Sequence, residues 1–192
     1  MNRISTTARS TILTLLTALG VVSAQADQKL LPAQSEITFV SKQMGVPVEG
    51  RFKKFDAQIA FDPAKPQTGK IAFTIDIASV TLGSPEPDAE LPKAPWFNTA
   101  KFPQATFQSS NIKGVGAGKF EVAGKLTIKG NTQDAVIPVT LLQTGPATIA
   151  NGALTIKRLV YKIGENEWAD TSMVADDVQV KFKLALSGVG KF

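Results

Sequence analysis

The chain has neither cysteine nor histidine among its 192 residues. Without cysteine there is no disulfide and no thiolate to act as nucleophile or ligand, so packing alone must hold the fold. Without histidine, the commonest general base and the commonest metal ligand are both gone. The usual Ser-His and Cys-His nucleophile pairs therefore cannot be built. Neither sign of charge forms a block. The formal balance is +5, partly from Arg3 and Arg9, and the rest is spread over lysines such as Lys125, Lys129, Lys181 and Lys183. They read as a solvated basic surface, not as the clustered, aromatic-interleaved stripe that a nucleic acid requires. The carboxylates are equally uninformative. Glu165, Glu167, Asp170, Asp176 and Asp177 surround Trp168 with spacings that fit no EF-hand loop, so an exposed acidic loop is expected and no metal site. Asp88 and Glu90 could pair as acid and base, but near the start of a short helix they read as capping carboxylates. No catalytic residue is assigned.

Long hydrophobic runs are also missing. The longest, Ile12 to Val22, is about half the ~20 residues that a membrane span needs. It follows Arg3 and Arg9 and ends in Ala24-Gln25-Ala26, the pattern of a secretory signal peptide cleaved after Ala26. Residues 1–26 are thus expected to be removed and residues 27–192 to form one exported, periplasmic domain. No cysteine follows the apolar run to carry a lipid anchor.

Alternation of apolar and polar residues runs through the rest, the period of half-buried strands. Eight strands are expected: Glu36 to Lys42, Val46 to Phe61, Ile71 to Ala78, Ala105 to Lys113, Phe120 to Lys129, Ala135 to Leu142, Ala153 to Ile163 and Val178 to Leu186. The second slips phase at Lys53-Lys54, which reads as a β-bulge, with Gly50 as a further bend. Pro138 suggests a free backbone edge or a bulge. Asn151-Gly152 reads as the turn before the seventh strand. Eight antiparallel strands, each with one apolar face, close into a barrel, with a two-sheet sandwich as the alternative.

One stretch breaks the pattern. Between Leu91 and Ser109, Pro92, Pro95 and Pro103 forbid a ladder, yet Trp96, Phe97, Phe102 and Phe107 concentrate aromatic mass there. A surface loop would leave that mass in water. The expectation is a plug, with a helical or 3₁₀ turn near Trp96-Phe97, laid over one barrel end. The inward parity holds Phe39, Phe73, Ile75, Phe107, Phe120, Leu126 and Phe182. These residues would line the interior whether it is filled or hollow.

Taken together, Ser35-Glu-Ile-Thr-Phe39, Met44-Gly45, Val48-Glu-Gly-Arg-Phe52, Trp96-Phe-Asn-Thr-Ala-Lys-Phe-Pro-Gln-Ala-Thr-Phe107 and Gly124-Lys-Leu-Thr-Ile-Lys-Gly130 resemble the YceI-like family across the mature chain. The resemblance implies a lipocalin-like antiparallel barrel with an apolar pocket for a polyisoprenoid, such as a quinone tail. On that reading the pocket comprises Phe39, Met44, Phe73, Ile75, Trp96, Phe97, Phe107, Phe120, Leu126 and Phe182. The only bound group it implies is an isoprenoid lipid or quinone. Where many relatives carry a histidine before the Met-Gly pair, this chain has Gln43. Two further readings stand beside the lipid binder. One is a solid-cored module whose plug docks an inner-membrane redox protein; the other is a lipid-modifying enzyme working through carboxylates.

Overall fold

In the computed structural model, which describes residues 27–192, period-two alternation produces an all-β antiparallel barrel. The expected signal peptide lies outside the described residues. Eleven strand segments form one sheet: β1 (Lys29–Leu30), β2 (Glu36–Gln43), β3 (Val46–Phe52), β4 (Phe55–Ala60), β5 (Lys70–Asp76), β6 (Val80–Thr81), β7 (Gln104–Gly116), β8 (Lys119–Ile128), β9 (Asn131–Thr144), β10 (Ala147–Lys157) and β11 (Asp177–Ser187). Three pairs of segments are one strand each, interrupted: β1 with β2, β3 with β4, and β5 with β6. Eight strands result. They close because β11 pairs with β2 along Gln179 to Lys183 and with β1 at Leu186, while β1 also pairs with β4. Closure removes the free edges that would otherwise invite another chain.

The interruptions carry their own hydrogen-bonding substitutes. At Lys53-Lys54 the strand breaks outright instead of bulging, beside a second break at the 3₁₀ turn Ile77–Ser79. The Ser79 hydroxyl accepts from the backbone N–H groups of Lys53 and Lys54 at 3.1 and 3.0 Å. The first break, at the 3₁₀ turn Pro32–Gln34, is closed by Ser35, which donates to the Leu31 carbonyl and accepts from the N–H of Ala185. A buried backbone group left unpaired is costly, and a serine hydroxyl can serve two of them.

Asn151 and Gly152 are not a turn. They sit mid-strand in β10, opposite Lys183 and Phe182, and the turn falls at Gly145, with φ of 59°. The seventh strand correspondingly ends at Lys157, followed by a 3₁₀ turn over Arg158–Tyr161. Pro138 marks a free stretch as its missing donor suggests: β9 pairs with β10 only from Val139 onward, and before that only with β8.

Two apolar clusters pack at the ends. At the base, Phe61 meets Phe120 edge to face with centroids 5.1 Å apart, packed with Ile112, Leu141 and Leu186. At the top, Ile77, Ala105, Ile128, Tyr161 and Ile163 pack with Phe52, Trp96 and Phe97. The plug's helix lies earlier than expected: α1 spans Pro85–Glu90, whereas Trp96 and Phe97 occupy a run of turns. Prolines at the first helical positions suit an N-terminus, and Pro92 and Pro95 then prevent continuation.

Candidate functional site

Between the two clusters the barrel is hollow. An apolar cavity of about 620 Å³ runs from the base at Phe61 and Val189 to a mouth formed by Gln43, α1, Trp168 and Val174. Phe39, Phe73, Leu126 and Phe182 face inward yet are only half-buried, because their free surface looks onto the lumen. In a filled core the same positions would be covered on all sides. The solid-cored barrel is therefore not what forms.

Phe39, Phe73, Ile75, Trp96, Phe97, Phe107, Phe120, Leu126 and Phe182 all line this cavity. Met44 does not. It sits at the tip of the β2–β3 hairpin with φ of 48° and 78% of its surface exposed, because the two-residue turn Met44-Gly45 carries it beyond the barrel wall.

Glycines decide how the phenylalanines lie. Phe39 faces Gly50 across β2–β3, and Phe182 faces Gly152 across β10–β11. A Cβ built on Gly50 would stand 2.2 Å from Cζ of Phe39, and one on Gly152 would stand 2.2 Å from Cζ of Phe182. Each ring thus lies flat on the strand opposite, in the space of a missing side chain. Large rings are held against the wall and the bore stays open. The cross-strand Phe-Gly pairs are the sequence signal for this arrangement.

The roof is fastened by two buried cations that the sequence reading took for surface or did not single out. Lys129, only 6% exposed, donates through Nζ to the carbonyls of Ala94 and Lys162 at 2.8 and 2.6 Å and to Glu165 at 2.8 Å. Its backbone φ of 48° in the Lys129-Gly130 turn throws the side chain out of strand alternation, so parity misplaces it. Arg158, 2% exposed, directs all five N–H donors at carbonyls of Ala175, Ile163, Gly164, Trp168 and Val174, at 2.6–3.1 Å. Burial pushes its pKa down, and Asp176 partly restores it. Between them, these two side chains tie the plug and the loop after β10 to the barrel. The Pro95 carbonyl accepts from the N–H groups of both Gly164 and Glu165 at 2.9 Å, and Trp96 packs on Trp168 with centroids 5.4 Å apart. The Trp96 indole N–H is buried with no acceptor among the described residues, an omission worth about 1–3 kcal/mol against the roof.

The carboxylates serve the same end of the molecule. Asp88 does not cap α1. It accepts from the Thr81 hydroxyl and the Leu82 N–H, both at 2.5 Å, and so moors the helix to β6. Those bonds hold its pKa below the ordinary value, as the hydrogen bond from Lys129 does for Glu165. Glu90 pairs with Lys93 at 2.5 Å on the surface. Asp170 accepts from Ser172, and Asp176 accepts from the N–H of Leu159. The acidic loop is thus a set of local braces. Among the described residues no three carboxylates converge as a metal site.

Comparison with known proteins places this architecture. A family model described as the YceI-like domain matches residues 29–186. A UPF0312 protein from Azotobacter vinelandii is 31% identical over 131 residues, covering 66% of this chain and 68% of the relative. The crystal structure of BcnA from Burkholderia cenocepacia superposes with a TM-score of 0.79 at 47% identity, covering 81% of this chain and 98% of that one. A polyisoprenoid binding domain from Saccharophagus degradans superposes with a TM-score of 0.68 at 18% identity, covering 84% and 98%, a likeness of fold alone.

Proposed function

The chain belongs to the YceI-like domain family, and on that premise we propose that it is an exported, non-enzymatic carrier of an isoprenoid or similar long apolar lipid. The observation that carries this reading is the hollow apolar lumen of about 620 Å³. An apolar cavity of about 150 Å³ accommodates benzene, so this lumen corresponds to about 25 carbons, or about five isoprene units. Burying each unit is worth about 4 kcal/mol gross, so one to four units offset an association cost of about 4–15 kcal/mol and the remainder gives affinity. The shape is that of a long, narrow tail: rings pressed flat on the wall, and a packed base opposite the mouth. The name borne by the Saccharophagus degradans domain points to the same ligand class. The signal-peptide pattern of residues 1–26 suits a role in carrying or sequestering such a lipid in the periplasm.

Expression of the full-length gene, isolation of the protein from the periplasmic fraction and extraction with organic solvent test this reading. The intact mass is expected to begin at Asp27, and the extract to contain an isoprenoid of a length that the lumen holds. A membrane-retained protein beginning at Met1 would overturn the export. A lipid-free protein that takes up no prenol would overturn the carriage.

A further inference from the structure

We infer that the tip of the β2–β3 hairpin is a docking element that seats the mouth of the barrel on a lipid bilayer. The inference rests on the lipid-carrier reading and goes beyond it, since holding a lipid does not require touching a membrane. The chain has three methionines, Met1, Met44 and Met173. The two among the described residues stand side by side at the mouth, where the Met44 N–H donates to the Met173 carbonyl at 2.8 Å. Val46 lies directly opposite Gln43, which lines the mouth, so its side chain stands on the lumen side of the hairpin. Met44, Val46 and Met173 are 78%, 63% and 42% exposed. They form an apolar prominence beside the opening that a ligand must pass.

Folding does not account for Met44. It holds the first position of a two-residue turn, with φ of 48° followed by 80° at Gly45. Asn or Asp suits that left-handed position, whereas methionine disfavours it and here gains no burial in return. A local rule broken without structural compensation points to a function. The surroundings select a lipid surface as the occupant. Among the described residues β3 meets β6 only at Arg51 and Phe52, so the tip stands clear of the rim. Pro47 leaves that free edge without a donor, which disfavours pairing with a strand of another protein. The nearby charges have both signs: Lys42 and Glu49 on the hairpin, Asp170 beside Met173, and Glu86, Lys53 and Lys93 about α1. They favour neither an acidic nor a basic partner, which leaves apolar insertion as the attraction. Methionine, unbranched and flexible, adapts to disordered acyl chains.

The test floats the protein of residues 27–192 with vesicles of phosphatidylcholine, alone and mixed with phosphatidylglycerol. Wild type is compared with Met44→Asn and with Met44→Asn combined with Met173→Gln. Uptake of geranylgeraniol in vesicle-free solution is titrated in parallel by Trp fluorescence, and chemical denaturation measures stability. Wild type is expected to float with both vesicles, in low and high salt alike. Met44→Asn should bind them more weakly and the double variant at least about tenfold more weakly, with geranylgeraniol uptake unchanged. Met44→Asn should also be no less stable than wild type, because asparagine suits the turn. Variants that float as well as wild type, or flotation confined to the anionic vesicles, overturn the inference. Binding to native inner-membrane vesicles but not to protein-free ones identifies a protein partner and overturns it too. Wild type that takes up geranylgeraniol but ignores all vesicles overturns the docking and leaves the carrier reading intact. Met44-dependent flotation of a protein that takes up no geranylgeraniol supports the docking surface and overturns the carrier.

Discussion

The wall-seated phenylalanines make the bore sensitive to a single methyl group. In Gly50→Ala the new Cβ would lie 2.2 Å from Cζ of Phe39 and 2.7 Å from both Cε atoms, where carbon atoms prefer about 3.5–4.0 Å. Only the far end of a side chain is struck, so the backbone can stay while the ring leaves the wall, and the space open to it is the lumen. A displaced benzene-sized ring takes about 150 Å³, roughly a quarter of the cavity, or about one isoprene unit. That removes about 4 kcal/mol of gross tail burial, while overpacking lowers stability by about 1–3 kcal/mol. A chain-length series of prenols, titrated against wild type and variant, should show the longest bound chain losing at least about tenfold in affinity and the preferred length falling by about one unit. Gly50→Ala with Phe39→Ala removes the ring and should restore the long chain. Gly114→Ala, where a Cβ meets nothing closer than 3.8 Å, should change neither property. A folded Gly50→Ala that binds the full series unchanged would refute the wall-seat argument.

Two further predictions concern the roof. Arg158→Met removes a cation that satisfies five backbone carbonyls, three of them buried, and should destabilise by about 3–5 kcal/mol. Arg158→Lys, with three donors instead of five, should fall between; chemical denaturation measures both, and a Met variant within about 1 kcal/mol of wild type refutes the staple. Acid should loosen the mouth before the barrel. Asp88, Glu165 and Asp170 all have pKa values below their ordinary 3.8, 4.5 and 3.8. A depressed carboxyl pKa stabilises the fold fully above the ordinary value, and this contribution is lost as pH falls through the lower folded-state value. Fluorescence of the Trp96–Trp168 pair should therefore change below about pH 4.5 while far-UV circular dichroism persists; coincident loss of both signals would contradict the local origin.

Much of this architecture was legible because one face of each strand is apolar. Inward parity fixed Phe73, Ile75, Phe120, Leu126 and Phe182 without knowledge of the turns, since a one-residue slip would reverse every side chain. Parity carries no information about how full the interior is: the same residues line a dry core or a lumen, and the difference lies in whether rings cross the bore or lie on glycines. It also fails where the backbone leaves the β region. Met44 and Lys129 both have positive φ, and the sequence reading sent each the wrong way, Met44 into the pocket and Lys129 onto the surface. Arg158 escaped notice because its partners are main-chain carbonyls from three separate places in the loop, with no sequence signature of their own. The Asn151-Gly152 pair misled for the opposite reason. It has turn chemistry, but tertiary packing used the glycine as a seat for Phe182.

A hollow barrel also raises the question of what holds it together. Rings facing a lumen forgo the dispersion contacts that a packed core would give them, so the middle of the molecule is its weak part. The two ends take over that role by different means. The base does so with hydrocarbon, Phe61 and Phe120 against Ile112, Leu141 and Leu186. The mouth cannot be filled in the same way without blocking the cavity. There the roof segments are gripped from the side by Lys129 and Arg158, through carbonyl oxygens that a purely apolar cluster would have left unsatisfied. Burying two cations is costly in itself, and hydrocarbon would be the simpler solution if sealing the end were all that mattered. The cost is understandable if the roof must stand in one place over an opening that stays clear. The grip itself is not complete: the indole N–H of Trp96 finds no acceptor among the described residues, and it lies beside the mouth, where a ligand has to pass.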